Sequence, residues 1–66
     1  MHANDNAVLV SLNDAARMTS LSRTFINRLR SSGQFPLAVP LGERRVAFVK
    51  AEVMEFINAR IAARAA

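Results

Sequence analysis

The chain has 66 residues, a net charge of +4 and no cysteine; eight of its nine basic residues are arginine. That length supports one small domain, since its apolar residues cannot be divided between two cores, and without cysteine there is neither a disulfide framework nor a thiolate zinc site. A lone histidine near the start, His2, leaves no imidazole cluster for a metal or a general base, and no apolar run approaches the ~18 residues of a membrane span or reads as a secretory signal.

Residues 1–7 (MHANDNA) lack any periodicity and read as a disordered tail, leaving residues 8–64 as the domain. Val8, Leu9 and Val10 form a short apolar run that could add a small strand. Ser11 then reads as an N-cap, with Asp14 in the first turn where a negative charge suits the helix dipole. Leu12, Ala15 and Ala16 share one face, which predicts a first helix over about Leu12–Met18. Thr19-Ser20-Leu21 breaks the pattern, and Ser22 can cap a second helix.

The second helix is predicted from Arg23 to about Ser32, with Gly33 supplying a left-handed stop. At 100° per residue, Phe25, Ile26 and Leu29 fall on a core-facing side. Arg23, Thr24, Asn27, Arg28 and Ser31 occupy the other. A solvated helix face ordinarily mixes signs through i,i+4 pairs; this one has cations, an amide and hydroxyls, and no acid. From Ala15 to Gly42 there are four arginines and no carboxylate at all. Such a basic centre is the footprint expected of a protein that meets a polyanion.

After Gly33 the period changes. Phe35-Pro36 ends helical conformation, and Ala38–Leu41 and Val46–Val49 flank Gly42-Glu43-Arg44-Arg45 as the arms of a hairpin. Pro40 cannot donate to a ladder, so its strand should be an edge. The tip presents Arg44 and Arg45. A third helix is predicted over about Lys50–Ala63, where Val53, Phe56, Ile57 and Ile61 repeat at helical spacing and should close the core.

The fold class is therefore mainly α with a small β-hairpin, and the order of elements is that of a winged helix-turn-helix. One helix fits the major groove of B-DNA, where base edges carry a readable donor and acceptor pattern. Arg23, Asn27 and Arg28 are residue types that can read it. Thr24 and Ser31 suit phosphate or occasional base contacts, and Ser22 at the helix start can present its hydroxyl and backbone N–H to a phosphate. Arg44 and Arg45 would reach the flanking backbone or minor groove. Arg17 is a weaker candidate for a backbone contact, and Arg30 is read as flanking the core.

The same residues carry a family resemblance. The runs Ser11-Leu12-Asn13-Asp14-Ala15-Ala16 and Leu21-Ser22-Arg23-Thr24-Phe25-Ile26-Asn27-Arg28-Leu29, then Gly33-Gln34-Phe35-Pro36, Leu41-Gly42 and Ala51-Glu52-Val53, resemble the AlpA family. Its members are small MerR-like winged-helix proteins of prophages and integrative elements. The resemblance covers about residues 10–62. It implies a bacterial or phage DNA-binding regulator acting as an excisionase (a recombination directionality factor), as a transcriptional regulator, or as both. It places Ser22, Arg23, Thr24, Asn27 and Arg28 on the recognition helix, and Arg44 and Arg45 on the wing. Where the family often has glycine in the turn, this chain has Ser20, which would cost roughly 1 kcal/mol if that position is left-handed. Val49 stands where a capping side chain often precedes the last helix, and predicts a weakly capped start. Pro40 stands in place of a frequent lysine, and Asn27 in place of a frequent aromatic.

The expected partners are double-stranded DNA, an integrase, and further copies of the chain bound cooperatively on DNA, in the cytoplasm on the nucleoid of a bacterial host. No cofactor and no enzymatic activity are expected: the sequence holds no Ser–His–acid set and no phosphate-cradling glycine loop. An alternative is a protein-interaction module that inhibits or recruits a partner, such as an integrase or regulator, without DNA. Leu9, Met54 and Ile61 could form its surface, although the simpler reading makes them peripheral core residues.

Overall fold

The computed structural model describes residues 8–64, so the reading of 1–7 as a tail lies outside the described residues. The elements are β1 (Leu9–Val10), α1 (Leu12–Thr19), α2 (Arg23–Ser31), β2 (Val39–Pro40), β3 (Val46–Val49) and α3 (Lys50–Ala63). The short apolar run at the start is a strand. It extends the expected hairpin to a three-stranded antiparallel sheet of order β1-β3-β2, in which Leu9 faces Val49 and Val39 faces Ala47. This is a winged helix-turn-helix, with β2 and β3 as the wing.

Both short helices begin on the serines that their sequences mark. Ser11 Oγ accepts from the Asp14 N–H, and Ser22 Oγ from the Phe25 N–H, each at 3.0 Å. Each bond satisfies an amide that has no partner within its own helix. The three-residue turn between them is drawn in by Thr19, whose hydroxyl donates to the Ala15 carbonyl at 2.8 Å and accepts from the Leu21 N–H at 3.3 Å. Leu21 is thereby directed toward the core, where it packs half-buried.

Ser20, at the end of α1, adopts φ 63° and ψ 21°, the left-handed region. There a Cβ crowds the following carbonyl, a strain of about 1–2 kcal/mol. Glycine would relieve it but would also gain unfolded-state freedom worth about 0.4–1 kcal/mol. Ser20→Gly is therefore expected to stabilise the domain by about 0.5–1 kcal/mol, raising its thermal midpoint by about 2–8 °C in a calorimetric scan. An unchanged or lowered midpoint would show that the serine is not strained.

At the other end of α2, Gly33 has φ 74°. Its N–H reaches the Arg30 carbonyl at 3.1 Å, and the Gln34 N–H reaches the Leu29 carbonyl at 2.8 Å. This paired closure satisfies two orphan carbonyls and requires a left-handed residue at position 33, as the sequence implied. The chain then turns back, and Phe35 enters the core against Phe48 (ring centroids 5.3 Å apart, edge to face) and Phe56 (4.9 Å).

The core gathers Ala15, Ile26, Leu29, Phe35, Phe48 and Val53, with Phe56 and Ile57 packed half-buried against it. Three expectations need correction. Phe25 falls on the core side of the sequence pattern but is 39% exposed, because it borders an open groove between the helices. Ile61 has core spacing but is 47% exposed, since it lines the open groove that α3 leaves with Met18, Leu21 and Phe25. Ala38 and Leu41 are not strand: pairing is limited to Val39 and Pro40, and Leu41 is joined to the sheet only through its N–H to the Arg45 carbonyl at 2.8 Å. Pro40 does lie on an edge strand.

Val49 gives α3 no side-chain cap. The first amide of the helix is satisfied by the main chain instead: Lys50 N–H donates to the Val8 carbonyl at 2.7 Å. No helix among the described residues is long and apolar enough to cross a membrane.

Candidate nucleic-acid interface

The tight turn and the burial of Ile26 and Leu29 fix the rotation of α2 about its axis. Its opposite side, Arg23, Thr24, Asn27, Arg28 and Ser31, is exposed, as is Ser22 at the cap. None of these side chains contacts a carboxylate; among the described residues the ion pair is Arg17 with Asp14, on α1. Arg17 is thus partly neutralised and is the poorest of the basic residues for a phosphate contact. Arg23 and Arg28 have no ion-pair partner, while Asn27, Arg30 and Ser31 border an open groove whose other wall carries Glu52 and Glu55 of α3.

Three of the polar residues are held rather than free. Arg23 Nη1 donates to Asn13 Oδ1 on α1 at 3.3 Å, which ties the start of the second helix across the turn to the first. The Arg28 guanidinium carbon lies 5.9 Å from the centre of the Phe25 ring, so the aromatic that escaped the core serves as a platform for it. Asn27 Oδ1 accepts from Arg30 Nη1 at 2.9 Å, and the Arg30 guanidinium sits 5.6 Å from the centre of the Phe48 ring. Arg30 flanks the core as expected, but it also reaches the polar face.

Arg44 and Arg45 are exposed on the wing beside Glu43. The ladder register places Arg45 opposite Leu41, so the loop proper is Gly42–Arg44 and Arg45 stands just before β3. The structure therefore brings the α2 residues together on one helix face and holds the two wing arginines apart on another element. Sequence reasoning missed Asn13 and the second role of Arg30. Asn27 and Arg30 are three residues apart on a helix, a spacing that permits contact; Asn13 and Arg23 meet only because α1 and α2 cross.

A family model described as prophage CP4-57 regulatory protein (AlpA) matches residues 8–61, which covers every element from β1 nearly to the end of α3. The chain belongs to the AlpA family. No curated protein and no solved structure matches it significantly. AlpA proteins are prophage regulatory proteins, a role that points to DNA as partner and not in general to enzymes. Among the described residues no group of three or more histidine or carboxylate side chains could hold a metal ion. In this AlpA chain the matched region contains the whole exposed face of α2 and both wing arginines.

Proposed function

We propose that this AlpA-family chain is a sequence-specific double-stranded DNA-binding protein of a mobile element, acting as an excisionase, as a transcriptional regulator, or as both. The observation that carries the reading is the polar face of α2: two arginines, an amide and two hydroxyls, all exposed and free of any carboxylate partner. In this reading α2 enters the major groove, where Arg23, Asn27 and Arg28 face base edges. Ser22, Thr24 and Ser31 meet phosphates, and Arg44 and Arg45 contact the flanking backbone or minor groove. The protein would act on the nucleoid, in the cytoplasm of the bacterial host.

Size supports binding by several copies. The longest dimension is 38 Å, about one turn of B-DNA. Bending a site by 40–90° costs on the order of 1–6 kcal/mol, more than one domain of this footprint can easily supply. Adjacent copies, with an integrase as a further partner, would share that cost. The test is a gel-shift titration on the element's attachment region at several salt concentrations. Cooperative occupancy is expected, and four to five phosphate contacts per copy at about −0.9 each give a slope of log K against log salt near −4 per copy. Salt-independent binding, or strictly one-to-one occupancy, would overturn it.

A second reading has one observation in its favour. Leu9, Met54 and Ile61 are each more than two-fifths exposed, so they are not the peripheral core residues that the simpler reading made them. A surface for a protein partner that needs no DNA would use such residues.

A further inference from the structure

We propose that Arg30, acting through Asn27, sets which bases α2 accepts at one position of the site; this rests on the reading of α2 as the helix that faces DNA. An asparagine side chain carries one acceptor oxygen and two N–H donors. Adenine shows the major groove an acceptor, N7, beside a donor, N6, so its paired recognition by asparagine uses both ends of the amide on one base.

In this protein one end is already engaged. Arg30 Nη1 donates to Asn27 Oδ1 at 2.9 Å, and Arg30 is itself held: it is half-buried, with its guanidinium over the ring of fully buried Phe48, which is in turn packed by Phe35. The bond turns the carbonyl end of the amide along the helix toward Arg30. Asn27 is thus oriented to offer its N–H donors outward. The oxygen keeps a second lone pair, but with it turned along the helix the groups offered to the groove are N–H donors, and these match base edges that present acceptors: N7 and O6 of guanine, or O4 of thymine. Asn27 then disfavours adenine, and Arg30 is the positioning residue responsible.

The test is selection from a duplex library randomised over one helical turn, with quantitative binding of the selected duplexes and their single-base variants. Wild type is expected to prefer guanine or thymine over adenine at the Asn27 position. Arg30→Met keeps length and an apolar contact with Phe48 but removes the donor. It should release the amide and shift the adenine-to-guanine ratio at that one position by about five- to tenfold. Arg30→Leu takes its place should the methionine variant fail to fold. Asn27→Ala should abolish the difference in both backgrounds, which isolates the coupling.

A uniform loss of affinity in Arg30→Met with an unchanged base profile would overturn the proposal, as would an Asn27-dependent adenine preference in wild type. Failure of the wild type to select any duplex would instead overturn the assignment of α2 to DNA, so the two failures are distinguishable.

Discussion

Arg23→Glu combined with Arg28→Glu is expected to weaken DNA binding at least a hundredfold while leaving the fold intact. Hydrogen bonds to charged groups are worth about 1.5–3 kcal/mol each. Losing two therefore costs about 3–6 kcal/mol, or roughly two to four decades of affinity at about 1.4 kcal/mol per decade. Repulsion between the new carboxylates and phosphates adds to that loss. Stability should fall by only about 1–2 kcal/mol, because both side chains are exposed and without an ion-pair partner, and what is lost is the Arg23–Asn13 hydrogen bond and the Arg28–Phe25 contact. A glutamate at position 23, the first residue of α2, suits the positive end of the helix dipole, and one at position 28, in the last turn, opposes the negative end. Circular dichroism checks the fold and a gel shift the binding. The same double variant separates the two functional readings. A protein-contact module built on Leu9, Met54 and Ile61 would keep its partner, whereas a DNA-binding regulator loses its activity. Full DNA affinity in the reversed variant would refute the interface.

The second large effect is expected at Phe48. Its side chain is fully buried and contacts Phe35 edge to face. Truncating a buried phenylalanine to alanine costs about 3–5 kcal/mol through lost transfer energy and the cavity left behind. A domain of this length has only about 3–10 kcal/mol in total. Phe48→Ala should therefore consume from about a third to all of the stability, lowering the midpoint of a urea or thermal melt by far more than any surface substitution. Leu37→Ala is the control. Leu37 is an apolar residue 86% exposed, and its truncation should lie within about 0.5 kcal/mol of wild type. Comparable losses at the two positions would mean that the core does not sit where Phe48 places it. Because Phe48 also carries the Arg30 guanidinium, the loss reaches the polar face of α2 even in molecules that remain folded.

Much of this fold was legible because its punctuation is chemical. Serine caps at 11 and 22, a glycine at 33 and the change of period after it each has a local physical cause, and each falls where the sequence implied. The third helix was found at its full length, Lys50–Ala63. The failures share a different cause. Phe25 and Ile61 have the right periodicity for burial, but both border a groove that the three helices leave open, and how closely neighbouring helices approach is not encoded in periodicity. The extent of β2 is not legible in side-chain type: Ala38 and Leu41 are strand-compatible, yet ladder pairing stops at Val39 and Pro40, and Leu41 keeps only its one bond to the Arg45 carbonyl.

At the candidate site, the helix face was legible from the absence of acids. The restraints on it were not. Arg23 meets Asn13 ten positions away, a contact set by the crossing of two helices. Arg30 could be placed beside the core from its position on α2, but its grip on Asn27 depends on the ring of Phe48, a residue eighteen positions further on.

The Val8 carbonyl that receives the Lys50 amide separates two demands that most proteins place on a single side chain. A helix that follows directly from a strand has a junction residue that must both fit the sheet and shield the helix's opening amides. Here peptide backbone from the front of the sheet takes the Lys50 amide, one of those opening groups, while position 49 is valine, a good strand-former that offers no cap to the amides after it. The arrangement tolerates changes of identity at that junction and is vulnerable to deletion at the front of the sheet. Shortening the chain there would leave the first amide of the last helix without its acceptor and loosen that helix's first turn, with no residue of the helix altered.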